Sequence, residues 1–299
     1  MLETMPLGEI AAILTAVCWS LGSMLFTVTG RKIGSSSVNH LRLWLAFLLL
    51  IPIHYIILGS FFPLDADPSN LAWLGLSGLI GYTIGDTLLF EAFVLLGARL
   101  AMLIMTLVPV FSSVIGYLLL GEIMTPAQVG AMLVILIGIA WVVTEKRKGP
   151  EQPHGHHVKG ILLGVGGALG QAFGLYFAKK GMVGDVSPIS ANLVRISVAV
   201  VSIGLISIVR RKFTSDMFKL KIPGVFVQLT GASIVGPVIG VILSLYAIAH
   251  TSLGVASTLM SLSPLFLIPL SRFFFKEQVT SRSVIGTTVA LAAASILFY

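Results

Sequence analysis

Arg42, Asp86, Glu91 and Arg195 are ionisable side chains set inside stretches of sequence that are otherwise almost wholly apolar, and each arginine follows an asparagine by three residues, Asn39 before Arg42 and Asn192 before Arg195. Such a charge is costly in an apolar medium and is kept there facing a partner or a water-filled cavity. A guanidinium in that setting can grip a carboxylate through two parallel hydrogen bonds, whether the carboxylate belongs to the protein or to a bound molecule. A carboxylate can anchor the guanidinium or take up a proton.

If the runs are helical, Arg42 lies about five residues, roughly 8 Å, from its membrane edge, and Asp86 about seven residues, roughly 10 Å, from the same face. The two are predicted to pair or to share water. Asp86 then has two readings, a structural counter-ion for Arg42 or a proton-coupling group. Glu91 is nearer a boundary, where headgroup contact accounts for it. No Asp or Glu falls within any apolar run of the second half. Arg195 therefore snorkels, pairs across the halves, or meets an anionic group of a substrate. His40 and His54 read as satisfied interior groups.

Trp19, Trp44, Tyr82, Tyr176 and Tyr246, with Gln171, are the aromatic and amide side chains that could line a cavity beside these charges. Each taken singly is also explained by core packing or an interfacial belt. The predicted binding set is Trp19, Asn39, Arg42, Tyr82, Asp86, Gln171, Tyr176, Asn192, Arg195 and Tyr246. No cofactor is implied. His154-Gly155-His156-His157 lies in a charged loop without fixed ligand geometry, so no metal centre is predicted.

What must position these residues is a set of membrane-crossing helices. The chain of 299 residues is 56% hydrophobic and only 10% charged, against about 25% charged in soluble domains. The net charge of +7 comes from short loops and does not point to nucleic acid. The lone Cys18 excludes an internal disulfide. At about 20 apolar residues per crossing, ten candidate spans emerge: 8–29, 37–58, 71–93, 99–120, 126–143, 159–178, 188–209, 226–247, 253–274 and 281–299. The first lacks a basic flank and a cleavage pattern and is expected to be a retained helix.

A shift of 155 residues lays the second half on the first. Gly81 and Gly85 fall on Gly236 and Gly240; Met105, Pro109 and Phe111 fall on Met260, Pro264 and Phe266; Glu122 and Thr125 fall on Glu277 and Thr280. Asn39 and Arg42 meet Asn192 and Arg195 at a shift of 153. Five spans per half is an odd number, so equivalent helices run in opposite directions. The expected fold is an all-α membrane protein of ten transmembrane helices, two inverted five-helix repeats around a central cavity. Its parts are residues 1–147, a polar linker 148–158, and 159–299. Pro109 and Pro264 are expected to kink their helices as hinges or fixed bends. Pro237 is an unpaired third. Gly166, Gly170 and Gly174 form a stripe that lets helices approach closely, whether for static packing or for sliding.

Fifteen Lys and Arg fall in the loops after odd-numbered spans, and only Lys179 and Lys180 on the opposite side. The positive-inside rule puts the odd loops in the cytoplasm and both termini outside, in the plasma (inner) membrane. Inverted repeats suit alternating access around a midplane site. The reading is a secondary transporter of a small polar or zwitterionic metabolite such as an amino acid. The alternatives are a membrane-embedded enzyme, whose His-Glu-x-x-His or Gly-x-Ser-x-Gly motifs do not occur here, and a passive channel. A monomer and a homodimer both fit.

The segment Gly97-Ala98-Arg99…Pro109…Leu120-Gly121-Glu122…Thr125…Gly130, with its counterpart Ser252-Leu253-Gly254…Pro264…Lys276-Glu277…Thr280…Gly286, resembles the EamA-type drug/metabolite transporter superfamily over essentially the whole chain. The resemblance implies a basket of ten helices and export of small metabolites. Glu122 and Glu277 match signature positions of that family and read as caps at the membrane edge.

Overall fold

In the computed structural model, residues 6–96, 101, 104–143, 157–184, 186–267, 270, 281–294 and 296 are described, and their elements are all helical. Among the described residues, five helices are long and apolar enough to cross a bilayer: Leu7–Gly30, Ser35–Leu58, Val158–Gly181, Pro188–Val209 and Val225–His250. Three shorter apolar helices, Val108–Leu120, Pro126–Trp141 and Leu253–Leu267, accompany them. The linker residues His154-Gly155-His156 and the glutamate Glu277 lie outside the described residues.

The elements used below are α1 (Leu7–Ile33), α2 (Ser35–Leu58), α3 (Pro68–Ser77), π1 (Gly78–Gly85), α4 (Asp86–Leu96), α5 (Val108–Ile115), π2 (Gly116–Leu120), α6 (Pro126–Val143), α7 (His157–Gly181), α8 (Pro188–Val209), α9 (Phe213–Lys219), α10 (Val225–Ser233), π3 (Ile234–Gly240), α11 (Val241–His250), α12 (Leu253–Met260) and α13 (Ser281–Ala294). Their ends carry local stop and start signals. Gly34 (φ 87°) turns α1 into α2, a backbone that favours glycine. Ser187 caps α8 by accepting from Ser190 N, with Pro188 in the first turn. Thr125 and Gln128 cap α6 reciprocally, each side chain accepting from the other's backbone N–H at 3.2 and 3.0 Å.

The glycine stripe of α7 packs on the third segment of the other half. A Cβ at Gly170 would stand 2.8 Å from Gly85 Cα, and one at Gly174 3.0 Å from Gly81 Cα. The mirror contact sets α1 against π3, where a Cβ at Gly22 would stand 3.4 Å from Gly236 Cα and one at Gly240 3.0 Å from Trp19 Cδ1. The first helix of each half thus crosses the third segment of the other. Lipid tails are as apolar as leucine, so backbone approach through small residues is what holds such crossings. A second mirrored contact follows. Ser233 Oγ donates to Arg42 O at 3.3 Å, and its repeat equivalent Gly78 presses so closely on Arg195 O that a Cβ would overlap it.

π1 and π3 occupy equivalent places in the two halves. Wider π turns leave carbonyls to other donors: Gly81 O accepts from Gln171, Gly240 O from Thr15 and Pro237 O from Asn192. The two symmetric prolines depart from expectation. Where kinks within continuous helices are predicted, the helix stops at Thr106–Leu107 and again at Ser261–Leu262, then restarts with Pro109 and Pro264 second in the new helix. The first turn is where proline's missing N–H and fixed φ are tolerated.

Candidate functional site: a polar cluster between the halves

On α2, Asn39 and Arg42 share a face one turn apart, and both are buried. Arg42 Nε donates to Asn39 Oδ1 at 3.0 Å, while Nη2 donates to Asp86 Oδ2. Its guanidinium carbon lies 5.5 Å from the Phe26 ring centre and 5.0 Å from that of Phe90, aromatic faces that favour a cation. Asp86 opens α4 directly after π1, and its other oxygen accepts from Gln171 Nε2 at 2.7 Å. Gln171 also donates to Gly81 O at 3.2 Å. Arg42 and Asp86, which lie at one depth, thus pair directly. Gln171, which comes from the other half, completes the carboxylate's shell.

The second half builds its equivalent differently. Tyr82 Oη donates to Asn192 Oδ1 at 3.0 Å, and Asn192 Nδ2 donates to Pro237 O at 2.8 Å. Tyr82 and Pro237 are repeat-equivalent positions that differ in residue type, and Asn192 bonds to both. Arg195 is 3% exposed, with its guanidinium carbon 4.8 Å from the Tyr82 ring centre. Its Nε and Nη1 have no hydrogen-bond partner among the described residues. A Cβ at Gly81 would lie 3.6 Å from its Nη2, an ordinary van der Waals contact, so π1 packs directly beside that edge.

The remaining predicted residues are more dispersed. Trp19 packs against Gly240. Tyr176 lies against Phe177 with ring centres 5.1 Å apart. Tyr246 stacks at 4.0 Å on exposed His250 near the end of α11. Among the described residues, no hydrogen bond joins Tyr176 or Tyr246 to the cluster. Glu91 pairs with Lys159 at 3.1 Å at an exposed edge. His54 is satisfied by Ser60 O and Ser190 Oγ.

Two further groups tie the halves together, and sequence reading did not assemble them. In the first, Asp216 on α9 is buried against α2. Its Oδ1 accepts from Ser37 Oγ at 2.7 Å and Lys219 Nζ at 3.3 Å, and its Oδ2 lies 3.0 Å from His40 Nδ1. Trp44 Nε1 donates to His40 Nε2 at 3.2 Å, which assigns the ring proton to Nδ1, facing Asp216. Burial pushes the Asp216 carboxyl up, but the hydrogen bonds from Ser37, His40 and Lys219 outweigh it and hold the group below its ordinary value. In the second, Glu122 pairs with Lys179 and accepts from Leu253 N at 2.7 Å, capping α12 from the opposite half. The missed signal for Asp216 was a lone acid within the basic stretch 210–221. Among the described residues, no group of three His, Cys, Asp or Glu could hold a metal ion.

Residues 6–144 and 158–299 each match the model of the EamA-like transporter family. The chain is 31% identical over 140 residues to the uncharacterized protein PA1977 of Pseudomonas aeruginosa, a match that spans about half (46%) of that curated relative's length. A solved crystal structure of a protein superposes with a TM-score of 0.74 at 17% identity, over 97% of this chain and 95% of that one, a likeness of fold.

Proposed function

From the chain's membership of the EamA-like transporter family, which makes it a membrane transporter, we propose that it is a secondary exporter of a small polar or zwitterionic metabolite such as an amino acid, working by alternating access of its two halves. One observation carries this reading: the buried polar cluster is assembled across the repeat boundary. Arg42, Tyr82 and Asp86 come from the first half, Gln171, Asn192 and Arg195 from the second, and hydrogen bonds cross between them.

The two other cross-half groups supply what alternating access requires. Ser37 and His40 are held by Asp216 and Lys219 beside loops that follow odd spans. Glu122 is held by Lys179 and Leu253 beside loops that follow even spans. Each works as a latch between the halves, and a central site between two latches opens to one side at a time. With the odd loops in the cytoplasm, the Asp216 latch is the inner one and the Glu122 latch the outer.

Saturable counterflow of an amino acid in proteoliposomes is the expected result. Linear, unsaturable flux supports the channel reading, and a new chemical product supports the enzyme reading. A C-terminal phosphatase fusion is expected to be active outside the cytoplasm; an inactive one overturns the orientation.

A further inference from the structure

The two repeat-equivalent arginines differ in a way that bears on what is carried. Arg42 has a carboxylate partner, with Asn39 on Nε, Asp86 on Nη2 and aromatic rings about its guanidinium. Arg195 has the same asparagine three residues before it, but Tyr82 occupies that asparagine's oxygen and the Pro237 carbonyl takes its amide. The place equivalent to Asp86 holds Val241, which is buried. Both oxygens of Asp86 are already engaged, by Arg42 and by Gln171. Arg195 feels the charge of Asp86 through space, but among the described residues no group bonds its buried Nε and Nη1, and leaving such donors dry and unbonded is costly unless an acceptor completes them.

We propose that Arg195 is the anion-recognition group of the transport site, taking a carboxylate of the carried metabolite on its unbonded N–H groups while the Tyr82 ring covers one face of the guanidinium. The inference rests on the transporter reading and narrows its cargo to molecules with an oxyanion. Arg42 cannot share that role while Asp86 holds it. Asn192 is the residue that keeps Arg195 open, because its oxygen, which on the Asn39 pattern would bond Nε, is turned to Tyr82 instead.

The test uses the purified full chain and matched probes that differ only at the carboxyl: L-alanine and L-alaninamide, L-phenylalanine and L-phenylalaninamide, succinate and succinamide, with sodium chloride as the inorganic anion. Thermal shift reads binding, and counterflow in proteoliposomes reads transport. The expected result is stabilisation by at least one carboxylate and not by its amide. Arg195→Gln should weaken that binding about 10- to 100-fold, the scale of a charged hydrogen-bonded contact. Asn192→Asp supplies an internal carboxylate at the position from which Asn39 reaches Arg42, so it should abolish the carboxylate shift, while the loss of the bond to Pro237 O is read separately in the melting temperature of the ligand-free protein. Equal stabilisation by acid and amide, undiminished binding in Arg195→Gln and Asn192→Asp, or no shift from any carboxylate overturns the proposal. A shift from chloride alone overturns the substrate assignment. Saturable counterflow of an amide that Arg195→Gln leaves intact sinks the anion site and keeps the transporter. Carboxylate binding that depends on Arg195 without any counterflow does the reverse.

Discussion

Tyr82 Oη stands 3.0 Å from Asn192 Oδ1, the oxygen whose counterpart on Asn39 holds an arginine. One phenol thereby separates the chemistry of two helices that descend from the same pattern. Tyr82→Phe removes the bond and releases Asn192 to turn toward Arg195. The expected cost is about 1 kcal/mol of stability for the lost hydrogen bond, together with weaker carboxylate binding. Melting curves with and without L-alanine check both, and unchanged affinity counts against the role given to Asn192.

Asp86→Asn leaves Arg42 buried with a neutral partner. Breaking one side of such a pair costs about 3–5 kcal/mol, while Arg42→Gln combined with Asp86→Asn should recover much of that loss. A double-mutant cycle on thermal stability measures the coupling. The same variant separates the two readings of Asp86, since uptake that stays dependent on a proton gradient in Asp86→Asn removes it as the coupling group.

Asp216 makes stability depend on pH in a fixed direction. Its carboxyl is held below the ordinary value in the folded protein by Ser37, His40 and Lys219. The stability it contributes is fully present above the unfolded carboxylate pKa, about 4, and is lost as pH falls through the lower folded value. Melting temperature should therefore fall on acidification below about pH 4, and Asp216→Asn should flatten that part of the curve. A variant as acid-sensitive as the parent would show that the dependence arises elsewhere.

Glu122→Gln keeps an acceptor for Leu253 N but gives up the charge that holds Lys179. The outer latch should loosen. With Cys18 replaced by serine, a cysteine at Thr251, whose carbonyl Lys179 also grips, is expected to react several times faster with a membrane-impermeant maleimide in the Glu122→Gln background. Identical labelling rates would mean that the ion pair does not hold the latch.

Gly170→Ala sets a methyl group 2.8 Å from Gly85 Cα, a backbone atom that cannot step aside. Overpacking of this kind costs about 1–3 kcal/mol. Gly130, inside α6, has nothing within 4 Å of its added Cβ, and Gly130→Ala should raise stability by up to about 1 kcal/mol. Comparable losses in the two variants would show that the α7 crossing does not depend on close backbone approach.

The residues readable in advance were those governed by one-dimensional rules. Charge scarcity marked a membrane protein, the repeat marked its halves, and counting residues from membrane edges set Arg42 and Asp86 at one depth. Residues that depended on azimuth were not readable. Gln171 reads in sequence only as an amide that could line a cavity, and nothing in its neighbours says that it points at Asp86. Asp216 and Glu122 lie near loops, where spacing does not predict which distant helix they meet, and their partners are 179 and 57 residues away for Ser37 and Lys179. Glycine and aliphatic residues run through both sides of Gly78, so the switch from α to π there left no mark. The prolines were visible, but whether a helix bends or restarts at one depends on the turn before it.

Asp86 is the first residue beyond π1, so its compass bearing around the rod depends on how the eight residues before it are wound. A π turn contains more residues than an α turn. Rewinding that stretch as α would rotate everything beyond it about the axis and carry Asp86 off the line that joins it to Arg42 and Gln171. π3, seven residues long, stands at the equivalent place in the other half, just ahead of Val241, where no charge waits to be turned. The duplication thus yields two equivalent swivels, only one of which carries a carboxylate.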